Sequence, residues 1–180
     1  MLKEWRTFKG WVVMEYFMNN PSKEIHVRGL AKELGVSPLT SNTYLRAYAA
    51  EGLLKKKRSA NAIIYSLAND SPVVKRLKQF YTVAWLTEKG FVDAVLKDNP
   101  QTTGIVLYGT HASGEYDERS DFDIIVFSMN PQYPKRAVES LGKEATLNIL
   151  TVAGWKKKNK EFKNSALRNN IVLYGAGLPM

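Results

Sequence analysis

The stretch "LYGTHASGEYDERSDFDIIVF", residues 107–127, constrains this chain more than any other. An apolar run stops at Gly109-Thr110, ten residues intervene, and a second apolar run opens with Asp121-Phe122-Asp123. On a strand, residues i and i+2 face the same side. Asp121 and Asp123 are therefore expected to project together, with Phe122 on the opposite face. Two ionised carboxylates side by side repel each other, and such a pair persists where a cation sits between them. Oxygen ligands with no soft ligand nearby point to Mg2+, which takes one or two carboxylates and completes its shell with water and phosphate oxygens. Gly109 frees the backbone to turn and to approach a ligand closely. Thr110 adds a hydroxyl, and the N–H groups of a helical turn after it can face an anion.

The surrounding pattern alternates helix and strand. It predicts a helix over Phe91–Lys97, strands over Gly104–Tyr108 and Phe122–Phe127, a helix over Pro134–Leu141 and a strand over Ala145–Val152. Helical patches in "GWKKKNKEFKNSALRNN" precede a last apolar run, "IVLYG". A small mixed α/β sheet follows from this order. The Gly-hydroxyl pair, the ten-residue gap and the Asp-x-Asp strand resemble the minimal members of the nucleotidyltransferase superfamily that includes DNA polymerase beta. The resemblance spans about residues 88–180, and the ending "LRNNIVLYG" also resembles archaeal members that carry a winged helix in front. It implies that Gly109, Thr110 and Ser120 bind the nucleotide. It further implies that Asp121 and Asp123 bind Mg2+ and are catalytic.

Three positions depart from that family's pattern. Thr110 replaces the usual serine, keeping the hydroxyl but with restricted rotamers. His111 stands where an arginine is common, as a phosphate contact or a surface side chain. The third catalytic acid, expected on a neighbouring strand, falls on Asn148 in "ATLNILTV". An amide carbonyl brings no charge and cannot act as a general base, whereas a third carboxylate helps hold the metal that activates the attacking oxygen. Glu144 has the right parity to substitute, but four residues along a strand is roughly 13 Å, too far to share a metal. Nucleotide and Mg2+ binding are thus expected to survive better than catalysis. Lys156-Lys157-Lys158 beside Trp155 is read either as a polyanion contact or as a solvated helix face. Tyr174 is assigned to core or dimer packing.

The N-terminal part has a different grammar. Residues 5–18 carry apolar side chains at helical spacing, and Pro21 ends that helix. A helix over Val27–Leu34 ends at Gly35, suited to a left-handed cap. Ser37 then caps a second helix with Pro38 at its first position. "LLKKKRS" and "AIIYSLA" read as two strands joined at "SAN". Two helices across a tight turn, followed by a hairpin, resemble the winged helix-turn-helix family of DNA-binding domains over residues 1–70. That resemblance implies a recognition helix over Ser37–Ala50, with Thr40, Ser41, Asn42, Tyr44 and Arg46 facing DNA, and a basic wing at Lys55, Lys56, Lys57 and Arg58. Residues 71–87 read as a connecting helix. The fold class expected is thus mixed α+β: a winged helix-turn-helix followed by a small α/β nucleotidyltransferase-like domain.

Composition supports this division. A net charge of +9 attracts polyanions, with nucleic acid the commonest in a cytosol, although a lysine-rich surface gives the same sum. Cysteine is absent, which removes disulfides and thiolate metal sites, and two histidines make zinc improbable. No apolar run approaches the ~20 residues that cross a bilayer, and the start "MLKEWR" is no signal peptide. A cytoplasmic protein without membrane contact is expected. Two readings follow. One is a Mg2+-dependent enzyme moving a nucleoside monophosphate from an NTP to a hydroxyl, on a protein as in toxin–antitoxin pairs or on a small molecule. The other is a DNA-binding regulator whose weakened transferase domain binds a nucleotide or a partner protein. A homodimer is expected in either, as winged helices commonly bind in pairs.

Overall fold

The first helical stretch is broken where Phe8 turns extended. In the computed structural model, which describes residues 2–142 and 145–179, α1 spans Leu2–Trp5 and α2 spans Lys9–Asn19. The sequence had predicted one helix over 5–18. The Thr7 hydroxyl donates to the Glu4 carbonyl instead, which offers the backbone an alternative to helix continuation. Two compact units make up the chain, one ending at Lys78 and the other beginning at Gln79.

In the first unit, β1 (Ile25–His26) leads into α3 (Val27–Leu34). Gly35, left-handed at φ +62°, ends that helix. Ser37 accepts from the Thr40 amide and starts α4 (Pro38–Ala50), with proline at the first turn where no N–H is needed. β2 (Leu54–Ser59) and β3 (Ala62–Leu67) form the hairpin. The sheet runs in the order β1-β3-β2 and is antiparallel throughout. Val13, Phe17, Leu30, Leu45, Tyr65 and Leu67 are among its buried side chains. α2 and α4 approach closely at Gly10, where a Cβ would lie 2.8 Å from the Tyr44 ring and from the Tyr48 hydroxyl oxygen.

Helix α5 (Pro72–Glu88) runs from the first unit into the second. There follow α6 (Phe91–Asp98), β4 (Thr102–Tyr108), α7 (Gly109–Ser113), β5 (Phe122–Ser128), α8 (Lys135–Leu141), β6 (Ala145–Leu150), α9 (Val152–Lys157), α10 (Lys160–Arg168) and β7 (Asn170–Gly175). The strands form one mixed sheet in the order β6-β5-β4-β7, with β5 and β6 parallel and the other pairs antiparallel. The predicted strand over Ala145–Val152 stops two residues early. Thr151 instead accepts from the Gly154 amide and caps α9.

Alternation along β5 divides the second unit. Phe122, Ile124 and Val126 pack with Ile105 and Leu107 of β4, Phe91 and Val95 of α6, and Leu141 of α8. Ile125 and Phe127 face the other way, packing with Val106 and Tyr108 of β4, Trp155 of α9 and Ala166 of α10. Asp123 shares the parity of Ile125, so it opens the end of this second face. Among the described residues, no helix is long and apolar enough to cross a membrane.

Candidate functional site

The two halves of the motif meet through strand register. Tyr108, the last residue of β4, pairs with Asp123 on β5, which brings the turn after β4 directly beside the carboxylate. Gly109 follows at φ +72°, and a Cβ there would run into the Asp123 carboxylate. Glycine is required here twice over, for the left-handed backbone and for the missing side chain. Asp121 precedes the strand, and both aspartates are half-buried. Among the described residues, neither carboxylate makes a hydrogen bond or an ion pair. Burial raises the Asp123 carboxyl above the usual range, and the charge of Asp121 raises it further. A half-buried like-charge pair without a partner is what an incoming cation relieves. The donor set fits Mg2+: two hard oxygen groups, with room for phosphate and water to complete the shell.

A cavity of about 820 Å³ opens at the glycine turn, lined by Gly109, Thr110 and Ser113 together with Asn164, Arg168 and Asn169. Gly109 belongs to both the cavity and the Asp123 contact. That volume falls in the range of small-molecule sites. Residues 92–176 match the family model described as polymerase beta, nucleotidyltransferase. That match lies within the second unit. No curated protein matches the chain. Among solved structures, the chain is similar to a mutant of the toxin–antitoxin MntA–HpeT, at 14% identity and a TM-score of 0.40, covering 49% of this chain and 73% of that one. A toxin–antitoxin structure with AMP-PNP has 17% identity, a TM-score of 0.37 and the same coverages. NolR from Sinorhizobium fredii has 22% identity and a TM-score of 0.28, over 45% of this chain and 93% of that one. Neighbours this distant carry no functional argument.

Within the second unit, His111 is neither a surface side chain nor placed as a phosphate contact. It is buried, stacked between Tyr116 and Phe122 with both ring centroids 4.2 Å away. Its Nε2 lies 3.3 Å from the Ser120 carbonyl and its Nδ1 3.2 Å from the Thr82 hydroxyl of α5. A carbonyl can only accept, so Nε2 carries the proton and Nδ1 faces a hydroxyl able to donate. The histidine therefore ties α7 to the end of the loop that delivers Asp121. Ser120, implied as a nucleotide contact, spends its hydroxyl within that loop: it donates to Asp117 Oδ1 at 3.1 Å and accepts from the Asp117 amide at 3.0 Å. Thr110 is exposed and its side chain opens to the cavity.

Asn148 lies on the carboxylate face, paired with Ile125 two residues beyond Asp123. Its Nδ2 donates to the Tyr108 hydroxyl at 3.1 Å, and Lys158 Nζ approaches its Oδ1 at 3.4 Å. Tyr108 is held up at about 12, first by burial and then by the Asp123 charge, with the Asn148 hydrogen bond pulling the other way. Among the described residues, no group of three His, Cys, Asp or Glu side chains is placed to hold a metal. Glu144 lies outside the described residues. Lys156 and Lys157 are exposed, whereas Lys158 turns inward. Tyr174 is not a core residue, being 39% exposed on the edge strand β7.

Sequence reasoning missed Tyr108 and the cavity-lining side of α10, and it did not separate Lys158 from its two exposed neighbours. Tyr108 stands directly before Gly109 but faces Asp123 only through cross-strand register, whereas the i, i+4 spacing of Asn164 and Arg168 flags the polar face of α10.

In the first unit, one candidate DNA contact is overturned. Ser41 is fully buried, on the α4 face shared with Leu45, because i and i+4 lie on one side of a helix. Tyr44 is half-buried against Gly10, and Thr40 is tied to Ser37, hydroxyl to hydroxyl, at 2.8 Å. Arg46 is exposed and lines a groove of about 420 Å³ with Asn42, Lys56, Ile63 and Tyr65. The basic strand divides by parity. Lys55 pairs with Asp70 at 2.6 Å and Lys57 with Glu24 at 2.5 Å. Lys56 and Arg58, exposed, make no ion pair among the described residues.

Proposed function

We propose that the protein is a DNA-binding, Mg2+-dependent nucleotidyltransferase of the cytoplasm, moving a nucleoside monophosphate from an NTP to a hydroxyl on a partner protein or a small molecule. The observation that carries this reading is the pair of half-buried carboxylates, Asp121 and Asp123, left without partners beside a glycine turn that opens on a cavity. Mg2+ bound there supplies charge neutralisation of the polyphosphate during in-line attack at the α-phosphorus. The acceptor oxygen forms a bond to that phosphorus, the α–β bridging bond breaks, and pyrophosphate leaves. The hydroxyl proton passes to solvent, because Asn148 offers no base. Gly109 and Thr110 bind the polyphosphate, and His111 holds their turn against the Asp121 loop. The antitoxin-like role, with a toxin as acceptor, rests on the family resemblance of residues 107–127.

DNA binding through the first unit is supported by helix–turn–helix order, an antiparallel hairpin after α4, exposed Arg46 and Lys56 lining one groove, and exposed Arg58 on the same hairpin. We read this unit as a winged helix-turn-helix, and such domains commonly bind DNA as homodimers. One observation favours a second reading, a regulator with little catalysis: Asn148 stands in the third acid position with an ammonium on its carbonyl.

Isothermal titration with each NTP, with and without Mg2+, followed by transfer of label from an α-phosphate-labelled NTP to protein, tests both. Metal-dependent binding with transfer supports the enzyme, and binding without transfer supports the regulator. No binding of any NTP overturns both.

A further inference from the structure

We propose that Lys158 serves as a built-in cation in place of a second metal ion, so that the site takes one divalent ion per polyphosphate and Lys158 contacts the polyphosphate itself. This rests on the reading of the site as a nucleotide-binding transferase centre. Three observations converge on it.

The first is the charge inventory. Asp121 and Asp123 bring two negative charges, which one divalent ion balances, and the third position holds a neutral amide. The second is how that amide is held. Tyr108 takes its N–H at 3.1 Å, which orients the Asn148 carbonyl, and the Lys158 ammonium lies 3.4 Å from that carbonyl. A metal ion on the same oxygen would meet a positive charge already beside it. The third is anchorage. Lys158 follows α9, its amide bonded to the carbonyl of buried Trp155 at 3.1 Å, and its ammonium sits 4.9 Å from the Phe162 ring centroid. Unlike exposed Lys156 and Lys157, it is half-buried and turned toward the strand that carries Asn148. A fixed ammonium in a partly dry site is a phosphate ligand whose ordering cost is largely met in advance.

The test uses the full chain with Mn2+ and inorganic tripolyphosphate, which needs no knowledge of the base, read by titration calorimetry and by electron paramagnetic resonance of bound Mn2+. The wild type is expected to bind one Mn2+ per chain with tripolyphosphate. Lys158→Met, which keeps the apolar stem over Phe162, should weaken tripolyphosphate about tenfold at an unchanged melting temperature, and Lys158→Arg should restore most of the loss. The double variant Asn148→Asp with Lys158→Met should bind a second Mn2+. Two Mn2+ on the wild type, full tripolyphosphate affinity in Lys158→Met, or one Mn2+ on the double variant each overturn the proposal while leaving the transferase reading intact. A wild type that binds neither probe overturns that reading with it.

Discussion

In the second unit the candidate carboxylates are half-buried, with Asp123 locked by strand register beside a glycine turn and raised by the charge of Asp121. In the first unit the candidate contacts are exposed side chains spread over α4 and a hairpin, and part of their charge is already matched by Asp70 and Glu24. The first arrangement is all-or-none, because position creates the property. The second is graded, because each exposed cation adds its own increment to an electrostatic sum. Substitutions should therefore fail steeply in one unit and gently in the other.

The steepest expected loss is at Asp123. Asp123→Asn should cut Mg2+-dependent nucleotide affinity or transfer by about two to three orders of magnitude. Its melting temperature without metal should not fall, since a half-buried like-charge pair is relieved. One residue away, Phe122→Ala should cost about 3–5 kcal/mol of stability by emptying a core position stacked on Trp85 and His111. Calorimetry and thermal denaturation of the two variants separate site from core. An unfolded Asp123→Asn would erase the contrast.

Next comes Gly109→Ala. Its left-handed backbone and the clash with Asp123 should cost about 1–3 kcal/mol and weaken NTP binding. Stability and affinity that both stay at wild-type levels would show that the turn is not held against the carboxylate.

The graded unit is probed by salt. Lys56→Ala should reduce the slope of log affinity for duplex DNA against log salt by about one, while Lys57→Ala, whose charge is shared with Glu24, should reduce it by less. Equal effects from the two lysines would remove the strand-parity argument.

The smallest effect is alkaline. Tyr108 has its folded value raised from 10.0 to about 12, so its neutral form contributes stability fully present below pH 10 and lost as pH rises toward 12. Tyr108→Phe should lessen the fall in melting temperature between those limits. Part of the fall should remain, because burial raises Tyr116 as well. An unchanged alkaline profile would mean that Tyr108 is not desolvated.

What was legible in the sequence follows the same divide. Local rules reach α3, its Gly35 stop and the Ser37-Pro38 start, because each acts within a few residues. Strand parity reaches the shared face of the carboxylates. Ser41 and His111 were misread for one reason: polarity suggests solvent, yet both are placed by tertiary packing that no local signal carries. Lys158 was hidden in a run of three lysines, and only the turn after α9 separates its direction from that of its neighbours.

That inward lysine also bears on how this site can change over generations. A single base substitution converts an asparagine codon to an aspartate codon, so an acid at position 148 lies one step away. A carboxylate arriving there would be born beside an ammonium, paired before any metal could claim it. Gaining a third metal ligand would thus take two mutations, at positions 148 and 158 together. The inward lysine works as a latch against that change.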